Sequence, residues 1–450
     1  MSLFSLGKTK VPHRKGTAAM TPVRMKAPEL VTIPVAQHIG APAIPTVKVG
    51  DSVFVGSVIA EAQGFVSAPI HSSVSGKVKK IEPYLAVNGT SSPAIVIESD
   101  GLMTPDPALA PPTVTSFADL ASAARAAGLI GLGGAGFPTS VKLSPKDLSA
   151  IDTLVLNGAE CEPYITSDTR TMLDDAEFIL EGVQLITKFS EIKNVVIGVE
   201  MNKRECIARL SQVFSSADFS STDITYSLCV LPTGYPQGAE KVLIYNTLGR
   251  VVPEGGLPSD VGVIVMNVTT IAFLAKYIRT GMPLVEKVVT VDGSAVAEPK
   301  NLIVPVGTPI KDVLEAAGGV KGELGKVMYG GPMMGVAVYT TDAPVLKNTN
   351  AITAFNKADA APKRINPCIH CGRCVSACPM GLNPTVFSRA LNLDDKAERA
   401  ERFTLGKVNL CIECGCCSYV CPSTRPLVVN NKLAKAELRD YRAAEAARKK

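Results

Sequence analysis

Cys368, Cys371, Cys374 and Cys378-Pro379 are spaced C-x2-C-x2-C-x3-C-P, and Cys411, Cys414, Cys417 and Cys421-Pro422 repeat that spacing. Nine of the 12 cysteines fall between Cys368 and Cys421, so the thiols form a local constellation and not the disulfide framework of a small secreted domain. Two interlocked quartets of this kind hold two [4Fe–4S] clusters, with the fourth cysteine of each motif ligating the cluster of the other triplet. Zinc ribbons also use C-x2-C pairs, but each ion needs its own four thiolates. Cys416 is the ninth thiol. It occupies the place that Arg373 holds in the first motif, so it is surplus to ligation and expected to pack beside a cluster as a small hydrophobe.

The 450 residues are enough for several domains. Residues 1–29 form an N-terminal extension with basic residues but no apolar secretory core behind them, so the thiols are expected to stay reduced in the cytosol. Residues 30–100 read as short strands broken by Gly and Pro. Their halves, VKVGDSVFVGSVIAEA and a second set ending SGKVKKI, are similar to the barrel-sandwich hybrid of biotinyl and lipoyl carriers. The hairpin tip EAQGF (61–65) has no lysine to modify, which points to a structural module; His38 and His71 are read there as ordinary packed or surface residues. A Pro-rich link at 100–113 follows. Ser116 then caps the helix FADLASAARAAG, which Gly128 closes.

From 114 to 284 strand and helix patterns alternate, the mark of an α/β domain with a parallel sheet. Residues 285–345 read as a smaller unit of two strands and a helix, about 346–362 as a linker, and 363–428 as the cluster domain. The tail 430–450 reads as a basic helix, carrying a net charge of +4 from Lys432 to Lys450 and most of the overall +5. A solvated helix explains this tail, with a partner or an anionic membrane surface as the alternative. The longest apolar stretch, 261–278, is interrupted by Asn267, Thr269, Thr270 and Lys276, so no membrane span is expected.

Gly131, Gly133 and Gly136 satisfy G-x-G-x-x-G, but a helix precedes them where a dinucleotide fingerprint needs a strand. What remains is a glycine-rich loop able to approach a phosphate or flat ring, with Lys142 nearby to neutralise charge. The loop NGAECEP follows an expected strand end, where α/β sheets bind ligands; its Asn157, Glu160 and Glu162 can bond hydroxyls or ring N–H groups. Cys161 lacks a histidine partner and reads as a packed residue.

These segments, with YPQGAEKVLIYNTLGR (235–250), VMNVTT (265–270) and GGPMMG (330–335), resemble the C subunit of the Rnf ion-translocating NADH:ferredoxin oxidoreductase across nearly the whole chain. Its flavin domain is similar to the NADH-oxidising flavoprotein subunit of respiratory complex I. The resemblance implies a multidomain α/β protein: barrel-sandwich hybrid, FMN- and NADH-binding domain, SLBB-like β-grasp domain at 285–345, and a helical ferredoxin-like domain for two [4Fe–4S] clusters. It implies that Gly133, Gly134, Gly136, Lys142, Asn157, Glu160, Asn267, Thr269 and Thr270 hold FMN, and that Phe137, Glu162 and Glu240 face NADH. A flavin suits this setting because hydride carries two electrons and a cluster accepts one. The implied partners are an iron–sulfur B subunit and integral membrane subunits at the cytoplasmic face of the membrane, with no nucleic acid. Two other readings stand beside it: a soluble flavin and iron–sulfur reductase such as a cobalamin reductase, and a non-catalytic scaffold. The A subunit of the sodium-pumping NADH:quinone reductase is disfavoured because it lacks the paired motif.

Overall fold

A computed structural model describes residues 9–217 and 223–448; the first eight residues of the N-terminal extension, and Lys449 and Lys450 of the basic tail, lie outside them. Residues 30–99 form two facing sheets, with strands Leu30–Pro34, Ser91–Ser99, Gly76–Leu85 and Ser52–Val53 on one side and Ile44–Pro45, Val58–Glu61 and Ile70–His71 on the other. Alternation along the strands buries Val31, Ile33, Ile59, Ile70, Ile95 and Ile97 between them. The hairpin tip without a lysine is fastened to the next domain: the Arg125 guanidinium donates to the carbonyls of Gly64 at 2.7 Å and Phe65 at 3.2 Å. A carrier swings this tip; here it is pinned.

Four parallel strands in the order Thr225–Leu231, Asn194–Glu200, Thr153–Asn157, Val263–Asn267 make the sheet of the α/β domain. Helices on both faces bury three of these strands as apolar runs, whereas the edge strand Thr225–Leu231 stays partly exposed. Ser116 caps helix Phe117–Ala126 by accepting from the Asp119 amide at 3.2 Å, and Gly128 adopts φ +60° beyond its end.

The β-grasp sheet has six strands where the sequence suggested two. Its extra members include Val23–Arg24 from the N-terminal extension and Ala351–Asn356 from the segment read as a linker, which lies between Glu286–Asp292 and Leu324–Tyr329. Six residues after a polar LKNTN run carry little strand signal, but buried Ala351, Ile352 and Ala354 fill the sheet's core.

In the cluster domain two short helices, Arg373–Ser376 and Cys416–Tyr419, each start after a glycine with positive φ, Gly372 at +74° and Gly415 at +79°. Helices Pro384–Ala390, Lys396–Leu405 and Leu427–Arg448 pack around Phe387, Phe403 and Leu438. The basic tail makes up most of helix Leu427–Arg448, which is anchored by buried Leu427, Ala434 and Leu438. Among the described residues no helix is long and apolar enough to cross a membrane.

Candidate functional site: a glycine loop joined to two thiol-lined cavities

From Thr153–Asn157 the chain steps outward to Asn194–Glu200 and Thr225–Leu231, then returns to place Val263–Asn267 on the opposite side. Strand order therefore reverses between Asn157 and Asn267, which are register partners at the C-terminal edge of the sheet. Ligands of open α/β sheets bind in this crevice. The glycine loop lies above it. Its Leu132 amide donates to Thr270 Oγ1 at 2.9 Å, and a Cβ at Gly133 would come within 3.2 Å of Asn267 Nδ2. Gly134 adopts φ +112°. Two other domains hold the loop as well: the Ile39 amide of the barrel donates to the Gly136 carbonyl at 3.0 Å, and Asn348 Nδ2 to the Gly134 carbonyl at 3.0 Å.

The residues present fit FMN. Gly133, Gly134 and Ala135 leave exposed backbone on a loop that passes close over the crevice. Immediately after it, the buried hydroxyls of Thr139 and Ser140 have no partner among the described residues, nor has Ser167 across the sheet edge. Buried hydroxyls left unpaired are costly, and a polar ligand would satisfy them.

The twelve residues implied for FMN and NADH divide by what they touch. Asn157 Nδ2 donates to the Gly238 carbonyl at 2.9 Å, and its Oδ1 accepts from the Ala159 amide at 3.1 Å. Asn267 caps helix Val268–Thr280, accepting from the amides of Thr269 at 3.0 Å and Thr270 at 3.2 Å. Lys142 and Glu240, implied for different ligands, meet in an ion pair at 2.8 Å, while Lys142 also donates to the Val265 carbonyl at 3.0 Å. Phe137 is half-buried, and its carbonyl closes the glycine loop by accepting from the Gly131 amide at 2.7 Å.

Two carboxylates are engaged within the protein. Glu160 is buried and accepts from the Asp168 amide, the Thr169 hydroxyl and Lys203 at 2.7, 2.7 and 3.1 Å. Burial works against its charge, but Lys203 and Lys15 outweigh that and hold its carboxyl below the usual value. Both its oxygens bond the neighbouring helix Ser167–Asp174. Glu162 Oε1 accepts from the amides of Met333 at 2.6 Å and Met334 at 3.1 Å, anchoring the GGPMMG turn; burial raises its pKa despite those bonds.

Two participants escaped the sequence reading. Asp168 takes bonds from Asn267 Nδ2 at 2.8 Å and Thr269 Oγ1 at 2.6 Å, and burial, then the Glu160 charge, push it up to about 6. Lys15 reaches in from the N-terminal extension to the carbonyls of Glu160, Glu162 and Ile165 at 2.8, 2.7 and 2.5 Å; burial lowers it to about 8. Neither carries a spacing signal, because their partners lie on other elements.

One loop connects the crevice to the thiols. Gly238, bonded to Asn157, also donates its amide to the buried Cys161 Sγ at 3.4 Å. Three residues earlier Tyr235, fully buried, donates its hydroxyl to the Cys414 carbonyl at 2.8 Å. Its backbone is bridged on the other side by Thr9, with N–O distances of 3.2 and 3.0 Å.

The eight motif thiols line two separate cavities. Cys411, Cys414 and Cys417 share one with Cys378, and Cys368, Cys371 and Cys374 share the other with Cys421. This is the crossed arrangement of a dicluster ferredoxin, and the donors are all thiols, as [4Fe–4S] centres require. Among the described residues no three His, Cys, Asp or Glu side chains gather around a point that one metal ion could occupy. Cys416 lies at the wall of the first cavity, fully buried, with Sγ 3.9 Å from the Tyr235 carbonyl.

Residues 4–102 match the RnfC barrel sandwich hybrid domain, 124–276 the Nuo51 FMN-binding domain, 288–337 the SLBB domain and 367–424 a 4Fe-4S dicluster domain. The C subunit of the Na(+)-translocating ferredoxin:NAD(+) oxidoreductase complex of Acetobacterium woodii is 43% identical, over 86% of this chain and 87% of that one. Its counterpart in the proton-translocating ferredoxin:NAD(+) oxidoreductase complex of Clostridium ljungdahlii is 42% identical, over 84% and 82%. A chain of the crystal structure of an NAD+-reducing [NiFe]-hydrogenase in the H2-reduced state shares the fold, with a TM-score of 0.51 and 19% identity; the match covers 72% of this chain and 63% of that one. The identity to these two relatives, over more than four fifths of the chain, shows that the chain belongs to the RnfC family.

Proposed function

We propose that the chain is the electron-input subunit of a membrane-bound, ion-translocating NADH:ferredoxin oxidoreductase, taking hydride from NADH and passing single electrons to partner subunits. One observation carries this reading: the loop Tyr235–Gly238 bonds to Asn157 at the crevice and to Cys414 at a thiol-lined cavity, joining a flavin-type site to a cluster-type site. Bound FMN supplies the conversion from a two-electron donor to one-electron carriers, and the two clusters supply the carriers. Gly133, Gly134 and Gly136 give it a bare backbone surface, Lys142 a positive charge, and Asn157, Asn267, Thr269 and Thr270 the edge of the crevice. Phe137 and Glu240 border the side from which the nicotinamide nucleotide approaches. Glu160 and Glu162 act one layer back, fixing helix Ser167–Asp174 and the GGPMMG turn. The protein orients, insulates and neutralises; no general acid or base is asked of it.

The relatives' names place them in a multi-subunit complex, and an iron–sulfur B subunit together with integral membrane subunits are the partners we assign to this chain. It would sit peripherally at the cytoplasmic face. Acid precipitation of the purified protein should release FMN, and Lys142→Ala should weaken FMN retention by roughly 10- to 150-fold, the equivalent of about 1.5–3 kcal/mol for one charge-assisted contact. Stopped-flow mixing with NADH should bleach the flavin before the iron–sulfur absorbance changes, and FMN-free protein should leave its clusters oxidised. Clusters that reduce equally fast without FMN would overturn the reading.

A further inference from the structure

Two basic residues line the cavity of Cys368, Cys371, Cys374 and Cys421, and three more are exposed on the segment that carries three of its thiols. Lys363, Arg364 and Arg373 are exposed in the segment 361–381, which holds no Asp or Glu, and Arg389 and Arg425 line the cavity itself. Arg389 contacts His370 Nδ1 at 3.0 Å and Arg425 contacts Ser388 Oγ at 3.3 Å, and among the described residues none of the five pairs with a carboxylate. Elsewhere in the same domain cations do find carboxylates: Arg399 pairs with Glu437 and Lys435 with Glu413, both at 2.5 Å. The five cations of this face are therefore left without a carboxylate partner among the described residues, within a domain where several others have one.

The same face carries apolar surface and an exposed thiol. Ile365 is 57% exposed and Ile369 67%, and Cys371, one of the four thiols of the cavity, is exposed between them and Arg373. An apolar centre with a charged rim is the anatomy of a transient protein interface, and single-sign rim charge speeds encounter with a partner of opposite sign.

We propose that this face, Lys363 to Val375 with Arg389 and Arg425, is where the chain docks an acidic, redox-active protein that exchanges single electrons with the cluster held by Cys368, Cys371, Cys374 and Cys421. This rests on the reading that NADH-derived electrons reach that cluster. An anionic lipid surface would also suit basic and apolar groups, but covering Cys371 with hydrocarbon would insulate the most exposed of the four thiols from any redox centre. A protein partner brings its own centre to it.

The experiment uses the intact complex carrying Lys363→Glu, Arg364→Glu and Arg373→Glu together, with Lys79→Glu on the barrel surface as a control for added charge. The triple variant should still show NADH-dependent reduction of both clusters within the subunit. Onward electron transfer in the complex should fall at least tenfold, or the subunit should dissociate from the solubilised complex, and raising salt should slow the wild type toward the variant. The Lys79→Glu complex should behave as wild type. Assembly and transfer unchanged in the triple variant would overturn the proposal. So would loss of sedimentation with phosphatidylglycerol vesicles by the variant subunit while its complex assembles and transfers normally, which assigns the face to the membrane. If NADH reduces neither cluster in the wild type, the electron-input reading itself fails.

Discussion

The two cavities of the cluster domain have the same cysteine spacing and opposite surroundings. The cavity of Cys378, Cys411, Cys414 and Cys417 is lined beyond its thiols by Pro379, Met380, Pro384, Ile412, Val428 and Asn431, with no charged side chain. Tyr235 and Met333 of other domains cover it, and Cys414 and Cys417 are buried. The other cavity faces solvent at Cys371 and carries His370, Arg389 and Arg425 in its lining. Ligand spacing decides that a cluster is bound. Charge, hydrogen bonding and exposure then set its potential and its neighbours, so a repeated motif encodes an inner and an outer centre.

Cys416 belongs to this asymmetry. Arg373 and Cys416 both open a four-residue helix after a positive-φ glycine, yet Arg373 is exposed and Cys416 is enclosed beneath the Tyr235 loop. A long cation fits the first slot and not the second.

The sharpest way to break the comparison is to remove the crossing ligands. Cys378→Ser should disrupt the inner cluster and Cys421→Ser the outer one, each losing up to half of about eight irons per chain; iron assay and EPR read the result. Loss of the other cluster in either variant would show that the motifs are not crossed. Next in size, Cys416→Arg should destabilise the protein by on the order of 3–5 kcal/mol, because it buries an unpaired charge. Cys416→Ser should keep all the iron. Thermal unfolding of the two variants checks this, and an arginine tolerated at 416 would remove the distinction between the slots. A smaller effect is expected from Arg389→Gln with Arg425→Gln: redox titration should show the outer cluster's potential lowered and the inner one unmoved. Smallest is Tyr235→Phe, which removes the bond to the Cys414 carbonyl, costs about 1 kcal/mol, and should alter the EPR signal of the inner cluster alone.

Much of this was legible in the sequence. The crossed thiol sets follow from spacing, because a motif that binds through consecutive loop residues keeps its signal local; that Cys416 is surplus is proposed from spacing alone, since it lines the inner cavity beside the four motif thiols. The glycine loop was legible for the same reason. The strand Ala351–Asn356 was not, since six residues inserted between distant strands owe their conformation to the sheet they complete. Lys15 and Asp168 were hidden too. Their roles come from burial beside Glu160 and Asn267, and those contacts span 145 residues in one case and 99 in the other. A loop at a strand end predicts exposed carboxylates, whereas the N-terminal extension and the GGPMMG turn cover this one, leaving Glu160 buried and Glu162 half-buried.

We place the inner cavity between the crevice at Asn157 and the outer cavity on the electron path. Rapid-freeze EPR of the Cys378→Ser protein after mixing with NADH tests it most directly. The flavin should be reduced at the wild-type rate while the outer cluster, held by Cys368, Cys371, Cys374 and Cys421, stays oxidised; in Cys421→Ser the inner cluster should be reduced normally. An outer cluster reduced at the wild-type rate in Cys378→Ser protein that has lost its inner cluster would contradict the order.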